Sequence, residues 1–136
     1  MPAIAPTGMA NGSSSGARYS PPPVRSHLSG EQAAAISNAF VQLYRRRRGK
    51  GPTKAKTYLV DELIVCVLEG GALRLEETLR ERGNQRLLDE LHRALCAAVD
   101  DECRTIIEQE TGRRVRAMVS ERDPDCDLEC KVVFLE

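Results

Sequence analysis

Tryptophan is absent from the 136 residues, tyrosine occurs three times, phenylalanine twice and histidine twice. With so few aromatics, Leu, Val, Ile and Ala must fill any core, and base stacking on aromatic platforms has little to draw on. Two histidines, His27 and His92, and no Gly-x-Ser-x-Gly pattern leave hydrolytic catalysis without its usual parts. No apolar run approaches the ~18 residues that a membrane span needs. The longest, Leu63 to Leu68, is strand-sized. The N-terminus has neither an apolar h-region nor a cleavage pattern, which argues against secretion and for a cytoplasmic protein. The five cysteines are odd in number and fit no disulfide or zinc framework, so they read as free thiols serving as small hydrophobes in a reducing compartment.

Net charge is zero, with 20 basic and 20 acidic residues, but the distribution is uneven. Arg45, Arg46, Arg47, Arg48, Lys50, Lys54 and Lys56 form a run without an acid, and residues 1–30 add Arg18 and Arg25, again without an acid. All 20 acidic residues therefore lie elsewhere, beside the remaining 11 basic ones. A basic loop on an acidic body is the pattern that bears on partners.

Residues 1–28 are rich in Pro, Gly, Ser and Ala and carry too little apolar surface to offset ordering, so they read as a disordered tail. From Ser29, a cap with Gln32 three residues on, a helix is predicted, with Ile36, Ala39, Phe40 and Leu43 on one face. Gly49 and Gly51-Pro52 stop it. Two apolar runs, Thr57–Val60 and Leu63–Leu68, are divided by Asp61-Glu62 at hairpin length, though Asp-Glu is a weaker turn signal than Asp-Gly and leaves the register open. The second run, apolar on both sides, predicts a central strand.

A short helix is expected over Leu73–Arg82 and a long one over Gln85–Thr111. The stripe of the long helix is Leu87, Leu88, Leu91, Ala94, Leu95, Ala98, Val99 and Ile106, and Gly112 ends it. Arg114–Ser120 alternates with Val115, Ala117 and Val119 on one side. Asp123-Pro124-Asp125 is a turn. Leu128–Leu135 is the last strand, with Cys130, Val132 and Phe134 on one face and Lys131, Val133 and Leu135 on the other. The order α-β-β-α-α-β-β predicts one α+β domain over residues 29–136: a four-stranded antiparallel sheet of two hairpins packed by helices.

Several stretches on that order carry a resemblance. They are Gly49-Lys50-Gly51-Pro52 before a strand, the hairpin Tyr58 to Gly70, and Leu73 through Thr78-Leu79. The long charged helix ending in Glu110-Thr111-Gly112 and the closing Val132-Val133-Phe134-Leu135-Glu136 complete the set. Over about residues 31–136 the chain resembles the small bacterial family named as component C of a Na+-translocating, membrane-potential-generating system. The Cys- and Asp-rich turn Glu121–Asp127 departs from that family's pattern. The resemblance implies an accessory protein beside a membrane ion-translocating system, with subunits of that system as partners. It implies no catalytic residues.

The basic loop is the sharpest candidate site: Arg45, Arg46, Arg47, Arg48, Lys50, Gly51, Lys54 and Lys56 could meet phosphate, RNA or anionic lipid. Each Lys or Arg near anionic lipid adds about 1 kcal/mol of attraction. The plainer reading is a solvated loop that caps a helix. It is no P-loop, since no Gly-Lys-Ser/Thr closes it. Cys126 and Cys130 form a CxxxC pair, but in one strand they stand ~13 Å apart, too far for one zinc. Cys96 and Cys103 are ~10 Å apart along a helix and cannot pair. Asp100, Asp101 and Glu102 read as a solvated helix face, and His92 has no partner fixed by sequence. The broad stripe of the long helix predicts a homodimer, unless the first two helices cover it.

The expected function is therefore a non-enzymatic accessory or regulatory interaction protein of the ion-translocating system, without cofactor or metal. It is cytoplasmic, within reach of a membrane surface. The alternative is a nucleic-acid, nucleotide or anion-binding module that uses residues 45–56.

Overall fold

The computed structural model describes residues 30–136. The expected disordered tail, the Ser29 cap and His27 lie outside the described residues. Seven elements follow in the expected order: α1 Gly30–Arg48, β1 Lys54–Val60, β2 Leu63–Glu69, α2 Arg74–Glu81, α3 Gln85–Thr111, β3 Val115–Asp123 and β4 Leu128–Leu135. Gly49 and Gly112 end α1 and α3 in the left-handed conformation, which a residue without Cβ adopts at little cost.

The strands form one antiparallel sheet in the order β1-β2-β4-β3. The β1–β2 turn holds two residues, because Val60 pairs with Leu63, and Asp61 takes a positive φ of 55°. Aspartate tolerates that conformation better than most residues, which explains how Asp-Glu serves where Asp-Gly is usual. The central strands β2 and β4 pair with each other, Leu63 opposite Phe134 and Val65 opposite Val132.

One face of the sheet carries the core. Leu59, Ile64, Cys66, Leu68, Val133 and Leu135 meet Ile36, Phe40 and Leu43 of α1 and Val99, Cys103 and Ile107 of α3. Each such side chain contributes ~1.5–3 kcal/mol by leaving water. Gly51 lets the chain turn back under α1: a Cβ there would stand 2.8 Å from the Val41 carbonyl.

The expectation that Val115, Ala117 and Val119 share the buried side of β3 is corrected. A bulge between Val115 and Ala117 inserts Arg116 and shifts the alternation by one. Beyond it Met118 pairs with inward-facing Val133, Ser120 with Lys131 and Arg122 with Glu129. Ala117 and Val119 turn to the opposite face, where Val119 is 51% exposed. A one-residue insertion exchanges the two faces of every later residue in a strand.

The stripe of α3 is only partly covered. Leu88 and Val99 are buried and Leu95 and Ile106 half-buried, whereas Leu87, Leu91, Ala94 and Ala98 stay exposed along one side.

Candidate functional site

The structure divides the basic run between intramolecular contacts and solvent. Arg47 leaves the cluster for α3, where its guanidinium makes two 2.9 Å hydrogen bonds to Glu102. Arg48, one turn beyond Tyr44 on the inward side of α1, is buried and donates to Glu76 of α2. Lys50 donates to the Ala72 carbonyl at 3.0 Å. Gly51 serves the close approach to α1 described above. Arg45 and Arg46 stay exposed on the last turn of α1, while Lys54 and Lys56 project from the far face of β1. No ion pair among the described residues engages these four.

Where Arg48 goes is where the structure concentrates its chemistry. Glu76, 1% exposed, accepts from Arg48, from His92 of α3 and from the Leu73 N–H at 3.0 Å. Arg122 of β3 lies 3.9 Å from the same carboxylate and 3.2 Å from Asp127 in the β3–β4 turn. Asp127 in turn accepts from the Ala72 N–H at 3.0 Å. Glu129 accepts from the Tyr44 hydroxyl and from Lys131 at 3.2 Å. Lys131, 0% exposed, also donates to Ser120 at 3.0 Å and stands 5.7 Å over the Tyr44 ring.

Arg48, Arg122 and Lys131 thus face Glu76, Asp127 and Glu129, and one network joins α1, α2, α3, β3, β4 and the β3–β4 turn. Burial alone would push Glu76 up, but the hydrogen bonds from His92 and Leu73 and the charge of Arg48 hold it below the usual carboxylate range. Burial likewise opposes the charge on Lys131, and the neighbouring Glu129 outweighs it, so the ammonium persists above its ordinary value.

Sequence reasoning missed most of this cluster. His92 does have a carboxylate partner, Glu76, supplied from a separate helix. One signal was present: Lys131 alternates with Val133 and Leu135, so the inward register of β4 carries charge at Glu129 and Lys131. A charged pair in the buried register of a central strand requires partners across the core.

The description "Na+-translocating membrane potential-generating system (MpsC)" matches residues 29–136. The chain belongs to the MpsC family. No curated protein and no solved structure matches it.

In this MpsC domain a cleft of about 440 Å³ opens beside the network, lined by His92, Arg93, Cys96, Asp100, Ser120 and Arg122 among others. A thiol, an imidazole and a carboxylate therefore share one opening, which the sequence did not lead us to expect. Their states work against nucleophilic chemistry. Burial pushes the Cys96 thiol up, and the charge of Glu129 adds to the shift. A thiol raised in this way is a poor source of thiolate. The imidazole Nε2 is engaged by Glu76.

The other cysteines are placed apart. Cys66 and Cys103 are core residues, pushed by burial to about 11 and about 12. Cys126 is exposed in the turn, with its thiol raised by Asp123, and Cys130 lies on the far face of β4. The acidic triplet of α3 also separates: Asp100 lines the cleft, Asp101 is exposed, and Glu102 pairs with Arg47. Among the described residues no group of three or more His, Cys, Asp or Glu could hold a metal ion.

Proposed function

We propose that this chain is a non-enzymatic accessory protein of a membrane ion-translocating, potential-generating system, held at the membrane surface by subunits embedded in the bilayer. The observation that carries this reading is the MpsC match across residues 29–136. No helix among the described residues is long and apolar enough to cross a membrane, so the contact is one of docking in this reading. A raised Cys96 thiol and buried cations paired with carboxylates inside the domain favour a scaffold over a catalyst. A homodimer is part of the proposal.

The nucleic-acid alternative draws less support, because Arg47, Arg48 and Lys50 are drawn into intramolecular contacts and Gly51 into packing. Four basic residues remain, divided between the end of α1 and the far face of β1.

The test is affinity isolation of the tagged chain from crosslinked membranes of its own cell. An integral membrane subunit of a cation-translocating system is expected in proportion to the bait. Recovery of nucleic acid or soluble proteins alone would overturn the reading.

A further inference from the structure

The sheet has a second face, and among the described residues no helix packs on it. Its residues follow from the strand registers as four rows across β1, β2, β4 and β3. The first reads Val60, Leu63, Phe134, Ala117, and the second Tyr58, Val65, Val132, Val119. The third reads Lys56, Val67, Cys130, Glu121, and the fourth Lys54, Glu69, Leu128, Asp123. The centre is apolar and half-buried, with Tyr58 49% and Val119 51% exposed at its margins. Arg116 leans over Phe134 at 5.8 Å and marks one corner.

The charges on this face are ordered. The β1 edge is basic through Lys54 and Lys56, the β3 edge is acidic through Glu121 and Asp123, and opposite charges occupy the same rows.

We propose that this open face is the contact between two copies of the chain, related by a two-fold axis that runs along the strands between the stacked sheets. That rotation exchanges the edges and keeps the rows. Lys56 then meets Glu121 of the second copy, and Lys54 meets Asp123. Tyr58 covers Val119, Val65 covers Val132, and Leu63 covers Phe134. An isologous interface repeats every such pair twice. One charge, Glu69, falls on an apolar residue, Leu128, in this arrangement; a two-fold axis across the strands would instead set all five charges on uncharged residues, Lys54 on Val60, Lys56 on Tyr58, Glu69 on Leu63, Glu121 on Val119 and Asp123 on Ala117. Both arrangements keep the strands of the two sheets aligned within ~30°, so the charged rows decide between them.

Four strands ~4.8 Å apart and four rows ~6.7 Å apart give a footprint of roughly 500 Å² per copy. A standard stable interface buries about 800 Å² per partner, so this dimer belongs to the weak class. The proposal rests on the homodimer named above, and its test uses the purified full chain alone, so its failure leaves the membrane-system reading intact.

The test is sedimentation at about 100 µM, where a weak complex is populated, in low salt, where rim charges are least screened. Wild type is expected to form a dimer. Lys56→Glu and Glu121→Lys should each weaken it about tenfold or more, since each reversal is felt twice. The two changes combined in one chain should restore it, and an equimolar mixture of the two single variants should form a heterodimer by native mass spectrometry. Both positions are exposed, so unchanged melting curves are expected to separate assembly from folding.

A wild-type chain that stays monomeric would leave the face to residues 1–29 or to another protein, and would overturn the proposal. So would a dimer untouched by either reversal, or one abolished by Leu91→Asp on α3.

Discussion

Lys131→Met is expected to destabilise the domain by about 3 kcal/mol, because it strips a buried carboxylate of its cation. Glu129 would keep the Tyr44 hydroxyl and a distant Arg122, at 3.9 Å, but lose the 3.2 Å ammonium contact. For a domain of this size the melting temperature should fall by more than about 10 °C. The partner change Glu129→Gln should be similarly harmful, since it leaves Lys131 with Ser120 and a more distant Asp100 at 3.9 Å. The double variant should lose less than the sum of the two by about 1–3 kcal/mol, because neither charge is then left alone and the new amide still accepts from Tyr44. Urea denaturation of the four proteins measures this coupling. Additive losses would mean that Lys131 and Glu129 do not depend on each other.

Glu76→Gln should have an effect of the same order, about 3–5 kcal/mol, for it leaves Arg48 and His92 without their shared carboxylate. Its pH dependence has a defined sign. The folded-state pKa of Glu76 is lowered, so wild type gains the full benefit above the unfolded carboxylate value of about 4.3. As pH falls through the lower folded value, the carboxylate is protonated and that benefit is lost. The stability gap between wild type and variant should therefore be wide and level near neutrality and narrow below about pH 4. Denaturation series at several pH values measure the gap. One that grows on acidification would mean that the carboxylate is not stabilised in its charged form.

The element order was legible because each segment keeps one period. The 3–4 spacing of Ile36, Phe40 and Leu43 and the strand-sized apolar run Leu63–Leu68, bounded by Asp61-Glu62 and Gly70-Gly71, point to α1 and β2 without outside information. What alternation cannot reveal is an inserted residue. Arg116 resembles any exposed strand residue, yet it reverses the faces of the rest of β3 and turns Arg122 inward. The division of the basic run was hidden for a related reason. Seven like charges in sequence look solvated, but successive positions on a helix point 100° apart. Tyr44 and Arg48, four apart, therefore face the core while Arg45 and Arg46 face water. Glu76 gave no sign of its role, since a glutamate in the first turn of a short helix is ordinary and its partners come from α1 and α3. The open sheet face was half visible: Leu63, Val65 and Val67 are as apolar as their buried neighbours. That pattern predicts a central strand, which β2 is, with β1 on one side and β4 on the other; it does not say what covers each face, and among the described residues the helices pack on only one.

Among the described residues the helices pack on one face of the sheet, and the charge network there ties α2 and the β3–β4 turn to α1, α3 and β4. It fastens the far end of the domain from inside, and it leaves the second sheet face and the α3 stripe free for contacts. On the proposed function the chain works through its surfaces, and the cleft beside His92 and Cys96 has no chemical role. The most direct measurement is complementation by Cys96→Ala in cells that lack their own copy, read as the Na+-dependent membrane potential with a voltage-sensitive dye. The account predicts that deletion lowers the potential and that the variant restores it as fully as wild type. A folded Cys96→Ala chain that fails to restore it would show that the thiol acts chemically, and would contradict the account.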